Sequence, residues 1–273
     1  MITNKLLYIV NNIDLIDNLK KVGIKNFLFP LKDFCVGFNN TYNLDDIEED
    51  SFILINRILD NESLDKLEEL LKTNKKRIKG IVYDDFGVLH IINKLSLDVV
   101  KINYQNHFGT NYKSINENLE HNDSVVVSSD ITVDEIEEIT KKVNKPVCLF
   151  LFGMLQAMYS RRTLLSNYYK QFDVDYENNL EVLESISNNS FVMVENEYGT
   201  VGYQKNYYNG LELLDMDNVL YYIVNPLFLS DDDQIKLIDD INNRKITLDI
   251  PIDTGFLHKS TIYKLKEVPK NEK

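Results

Sequence analysis

At 273 residues, with 44% hydrophobic and 27% charged side chains, the chain has the size and composition of a globular protein able to bury roughly three quarters of its unfolded surface. Its 43 acidic and 30 basic side chains leave a formal charge of −13, a field that repels polyanions and disfavours unaided binding of nucleic acid. Cys35 and Cys148 have no third or fourth thiol near them to complete a zinc or iron–sulfur clip, and both read as small core hydrophobes.

The first residues lack the charged region and apolar run of a leader, and no stretch reaches the about 18 apolar residues of a membrane span. The expected location is therefore the cytoplasm, with no membrane partner.

An apolar run at 6–10 is followed by an amphipathic stretch around Ile13, Leu15, Ile16 and Leu19 and by a second run at 26–30, the rhythm of βα units. A third strand is predicted at 52–58. Asp60-Asn61-Glu62-Ser63 then opens a helix whose Leu64, Leu67, Leu70 and Leu71 keep three-to-four spacing. Further strands are predicted at 78–83, 99–102, 124–127 and 147–151, with a capping box at Thr132 and Glu135. Runs so rich in Val, Ile and Leu argue for a parallel sheet covered on both faces. The predicted fold class is α/β, a (β/α)8 TIM-type barrel, irregular or incomplete, with a C-terminal extension.

Beyond residue 170 the pattern loosens into an extended stretch at 174–179 and a polar helix around Leu183 to Ile186. A hairpin, 191–194 with 198–203, follows around Asn196-Glu197. A last buried strand is predicted at 219–224 and a closing helix at 235–241. Residues 1–245 read as the barrel domain and 246–273 as an extended arm, frayed from Pro269 to Lys273.

The segment 152–168 follows a barrel strand and concentrates hydroxyl, amide and guanidinium groups on the expected active-site face. Arg161 and Arg162 beside Tyr159 and Ser160 suit bidentate capture of a phosphate or carboxylate, and equally suit a helix start with solvated bases. Asp84 and Asp85 end a strand, where a carboxylate serves catalysis or caps the next helix. His107 lies in a loop, His90 in a helix, and Glu195 reads as an ion-pair partner on a hairpin strand. No Ser-His-Asp or Cys-His pairing is evident.

Gly153, Leu155, Tyr159-Ser160, Arg162 and Leu164-Leu165-Ser166-Asn167-Tyr168 resemble the signature of the peptidase U32 family, the collagenase-like proteins. The stretch 52–59 with Asn56, 80–89 with Asp85, Gly87 and Val88, and Gly109-Thr110-Asn111 with Asn116 are similar to further family blocks. So are 125–136, and Val194-Glu195 with Gly199-Thr200. Together they keep the family's order over residues 50–205, and 254–259 resembles a family feature near the C-terminus.

No catalytic residue is fixed by the sequence; the candidates are Asp85, Tyr159 and Ser160, and the candidate substrate-binding residues are Asn56, Asn111, Arg161, Arg162, Ser166, Asn167 and Glu195. Gln156 and Thr163 stand where the family carries two cysteines, so neither an iron–sulfur cluster nor another metal or cofactor is expected. Phe152, Cys148 and Ser129 replace the family's His, acid and Arg, and Tyr222-Ile223-Val224-Asn225-Pro226 replaces a Lys-Ile-Glu-Gly-Arg stretch.

By its name the family is a peptidase family, and several cluster-bearing members take part in oxygen-independent hydroxylation of RNA bases or quinone precursors. The expectation is a cluster-free accessory subunit in tRNA wobble-uridine hydroxylation, partnered by a longer cysteine-bearing U32 paralogue and reaching tRNA only indirectly. The alternatives are a U32-type peptidase and a degenerate barrel that binds a small carboxylate through Arg161 or Arg162.

Overall fold

A computed structural model of the protein describes residues 2–74, 78–104, 107–185 and 189–259. The first half alternates β1 (Leu6–Ile9), α1 (Ile16–Lys21), β2 (Asn26–Pro30), β3 (Ser51–Ile55), α2 (Asn61–Thr73), β4 (Ile78–Tyr83), α3 (Phe86–Lys94), β5 (Val100–Asn103), α4 (Tyr112–Leu119), β6 (Ser124–Val125), α5 (Val133–Lys142) and β7 (Val147–Gly153). An insertion follows, made of β8 (Gln156–Ser160), α6 (Leu164–Phe172), β9 (Leu180–Glu184), β10 (Asn189–Asn196), β11 (Gly199–Gln204) and β12 (Tyr207–Asn209). The chain then returns through β13 (Val219–Asn225), α7 (Asp231–Asn242) and β14 (Ile252–Asp253).

Ten strands form one curled sheet in the order β14-β12-β7-β13-β1-β2-β3-β4-β5-β6, parallel throughout from β7 to β6. Val126 bridges Cys148 in parallel, and the Val127 N–H donates to the Cys148 carbonyl at 2.9 Å, so the sheet curls until its β6 end reaches β7. Every residue of β1, β2, β3 and β7 is buried, as expected of strands packed on both faces.

The expected barrel-like α/β architecture is present in irregular form. The β2 to β3 crossover holds a 3-10 turn at Leu44–Asp46 in place of an α-helix. The β7 to β13 crossover holds a separate antiparallel sheet, ordered β8-β11-β10-β9. Gly153 makes the exit from β7 possible. Its φ is +125°, and a Cβ there would lie 1.8 Å from the Asn225 carbonyl oxygen on β13.

Side-chain caps begin the helices where the sequence marks them. Asp60 accepts the Ser63 N–H at 2.9 Å, and Thr132 and Glu135 form the expected capping box. The polar helix expected around Leu183 is instead strand β9, and Ile186 lies outside the described residues. Leu180 and Val182 flank Glu181 on a two-residue period, and the ladder pairs them with Met193 and Phe191 of β10. Tertiary pairing overrides the local helical tendency.

After α7 the chain stays on the body. β14 runs parallel to β12, and the Leu257 carbonyl accepts the Val133 N–H at 3.0 Å. The end expected to fray at Pro269 to Lys273 lies outside the described residues. Among the described residues no helix is long and apolar enough to cross a membrane.

Candidate functional site

A cleft of about 630 Å³ opens at the C-terminal ends of β3, β4 and β5, with β8 as its outer wall. Ile58, Asp84, Phe86, Tyr104 and Phe108 come from the barrel loops, and Gln156, Met158 and Tyr159 from β8. In α/β barrels this end gathers sites because its loops vary while the strands beneath hold them rigid. Phe86 and Phe108 are 54% and 72% exposed, an exposure that packing does not explain and that a stacked ligand would reduce.

Asp85 reaches the cleft with both carboxylate oxygens engaged. Its Oδ1 accepts the Gly87 N–H at 2.7 Å, capping α3, and its Oδ2 accepts the Leu59 N–H at 2.9 Å, fastening the loop after β3. Asp84, alongside, is half-buried and lines the cleft. Burial, followed by the charge of Asp85, pushes its carboxyl up from 3.8 to about 7. A carboxyl that titrates near neutrality in a cleft can donate a hydrogen bond as an acid or take up a proton as a base.

Tyr159 presents its ring to the cleft. Its hydroxyl is buried and makes no well-formed hydrogen bond among the described residues. Burial raises its pKa, and the nearby Ile58 backbone and Arg57 charge act in the opposite direction. Arg57 is itself buried, lies 3.7 Å over the Tyr198 ring and donates to the Asp33 carbonyl. His107 stands at the cleft with its Nδ1 3.1 Å from Asp130 Oδ2, whereas His90 is exposed on α3.

The other candidates lie elsewhere. Ser160 accepts the Arg162 N–H at 3.1 Å through its hydroxyl, Arg161 contacts Asp60 at 3.4 Å in solvent, and neither arginine lines the cleft. Asn56 is buried, accepts the Val36 N–H at 2.9 Å and donates to the Val36 carbonyl at 3.0 Å, pinning the loop after β2. Asn111 caps α4 by accepting the Ser114 N–H at 3.0 Å. Glu195 and Ser166 meet at the first turn of α6, and Asn167 is exposed on that helix. Of the ten candidates, the cleft receives Asp85 and Tyr159.

Sequence reasoning missed Ile58, Phe86, Tyr104, Phe108 and Met158 as cleft residues. The available signal was apolar side chains just beyond strand ends, in loops where burial in the core is not their role.

The cysteine-ligated cluster of many U32 proteins does not fit this donor set. Gln156 and Thr163 offer an amide and a hydroxyl. The two thiols are buried elsewhere, Cys35 against the Leu54 carbonyl at 2.8 Å and Cys148 beside the Ser124 hydroxyl at 3.3 Å. Burial pushes each thiol up to about 12, away from the thiolate that would bind iron. Among the described residues no group of three or more His, Cys, Asp or Glu is placed to hold a metal ion.

A family model described as Peptidase family U32 matches residues 41–178, which hold the barrel side of the cleft together with β8 and α6. No curated protein and no solved structure gives a match.

Proposed function

The chain belongs to peptidase family U32, and from that membership we propose that it is a cluster-free accessory subunit in tRNA wobble-uridine hydroxylation, acting in the cytoplasm beside a longer, cysteine-bearing relative. The observation that carries this reading is the make-up of the cleft wall. Gln156 supplies an amide where the family places a thiolate ligand, and it faces a cleft edged by Phe86, Phe108, Tyr104 and Tyr159. Aromatic faces with one amide and one protonatable carboxyl, Asp84, suit an uncharged planar heterocycle held by stacking and by its polar edge. The formal charge of −13 fits a protein that leaves the tRNA phosphates to its partner. Nucleoside analysis of tRNA from a strain lacking this chain tests the proposal: hydroxyuridine falls sharply, and an unchanged level refutes it. Co-purification with the cysteine-bearing relative is the accompanying expectation.

A peptidase reading draws on Asp84 as well, since a carboxyl titrating near 7 is suited to activating a water. Gelatin degradation by the purified protein, abolished in Asp84→Asn and retained in Ser160→Ala, would favour hydrolysis over the accessory role.

A further inference from the structure

The β8-β11-β10-β9 sheet has two unlike faces. Val194, Val201 and Tyr203 point toward the barrel and are buried, and the Tyr203 hydroxyl donates to the Gly37 carbonyl at 2.8 Å. On the opposite face, Phe191 and Met193 of β10 pair with Val182 and Leu180 of β9. Helix α6 covers only one end of that face, where Glu195 holds its first turn. The rest forms a groove of about 1040 Å³ between the sheet and the Leu165 and Tyr169 side of α6.

The groove continues into an exposed apolar surface. Tyr168, Phe172, Val174 and Tyr176 are each more than half exposed, at 51%, 62%, 53% and 52%, and Val182 on the groove face of β9 is 38% exposed. Tyr168 and Phe172 lie 4.9 Å apart and Tyr169 and Tyr176 5.5 Å apart, so the aromatic rings are contiguous. A patch of this kind marks a contact surface.

Charge selects the partner. Asp173, Asp175, Glu177, Glu181 and Glu184, five acids against the single base Lys170, fall between Leu164 and Ser185. Glu181, which meets Lys205 at 2.5 Å, and Glu184 line the groove, and the exposed Asp173, Asp175 and Glu177 lie beside Val174 at its edge. An apolar groove with an acidic rim repels nucleic acid and anionic lipid and attracts a cationic chain that carries apolar anchors.

We infer that this groove docks a lysine- or arginine-rich amphipathic segment of another protein. Apolar side chains of the segment enter between Phe191, Met193 and Tyr169, and its basic side chains meet the acidic rim.

Fluorescence anisotropy of the full chain with a labelled Leu/Lys peptide in amphipathic helical order tests this, with a Leu/Glu peptide of the same order as control. The wild type binds the Leu/Lys peptide and not the control, and Val182→Asp weakens binding by about tenfold or more. That variant adds negative charge, so an attraction that was only electrostatic would instead tighten. Asp175→Lys combined with Glu177→Lys, both at exposed loop positions, lowers affinity similarly, and circular dichroism reports that each variant stays folded. The inference is overturned if the Leu/Lys peptide does not bind, if Val182→Asp leaves its affinity unchanged or raises it, or if the Leu/Glu peptide binds as tightly. It is overturned too if sedimentation shows the wild type self-associating through this face, with Val182→Asp monomeric, since the occupant is then a second copy.

Discussion

Glu195 and Ser166 are joined by two hydrogen bonds, one from the Ser166 backbone N–H at 2.9 Å and one from its hydroxyl at 2.5 Å. The same carboxylate accepts the Leu165 N–H at 2.7 Å and the Thr200 hydroxyl at 2.6 Å. A residue remote in sequence thus serves the first-turn donors of α6, whose own Thr163 makes no side-chain cap.

Glu195→Ala leaves those donors unserved, and a loss of about 3 kcal/mol in urea unfolding is expected. Burial alone would raise the Glu195 carboxyl, but the bonds from Ser166 and Thr200 outweigh it and hold it below its usual 4.5. A lowered folded value means the unfolded chain takes up the proton first. The stabilisation is therefore complete above 4.5 and is lost as pH falls through the folded value. The stability gap between wild type and Glu195→Gln should close over that acid range.

For Asp84 the sign is opposite. Its folded value of about 7 exceeds the usual 3.8, so its protonated form favours the fold below 3.8, and that advantage disappears as pH rises through 7. Asp84→Asn should match the wild type near pH 4 and exceed it by roughly 1–2 kcal/mol at about pH 8, a modest gain because cleft water screens the charge. Thermal unfolding at both pH values reads this out.

Asn56→Ala removes both hydrogen bonds to Val36 and strands a buried N–H and carbonyl. A cost of about 2–3 kcal/mol follows, visible as a lower urea midpoint with the m-value unchanged.

Gly153→Ala forces a Cβ to within 1.8 Å of the Asn225 carbonyl oxygen at a φ of +125°. The β7 to β13 contact must open, and destabilisation of more than about 3 kcal/mol is expected, seen as insoluble expression or early melting.

The parallel strands and the caps at Asp60 and Thr132 were legible because each is written in local sequence, as an apolar run or as an acid or hydroxyl before a helix, whereas Asp85 read equally as a catalytic carboxylate or a cap until its bond to the Gly87 N–H was seen. Strand β9 was not, because Leu180 to Glu184 becomes extended through its ladder with β10, which local pattern does not announce. Glu195 and Asn56 stood out as polar residues within family-like blocks. Their partners, Ser166 and Val36, lie 29 and 20 residues away and appear only once the chain is folded. The cleft was half legible: Asp84, Asp85, Tyr159 and His107 drew notice as chemistry-bearing residues, whereas Phe86 and Phe108 resemble ordinary core residues until their exposure is seen.

The most direct test of the cleft as the working site is nucleoside mass spectrometry of tRNA from a deletion strain complemented with either the wild-type chain or Phe108→Ala. Phe108 is exposed at the rim, so its truncation leaves the fold intact. The account predicts that the wild type restores wobble hydroxyuridine and that Phe108→Ala does not. Full modification in the uncomplemented deletion strain, or equal rescue by Phe108→Ala, would contradict it.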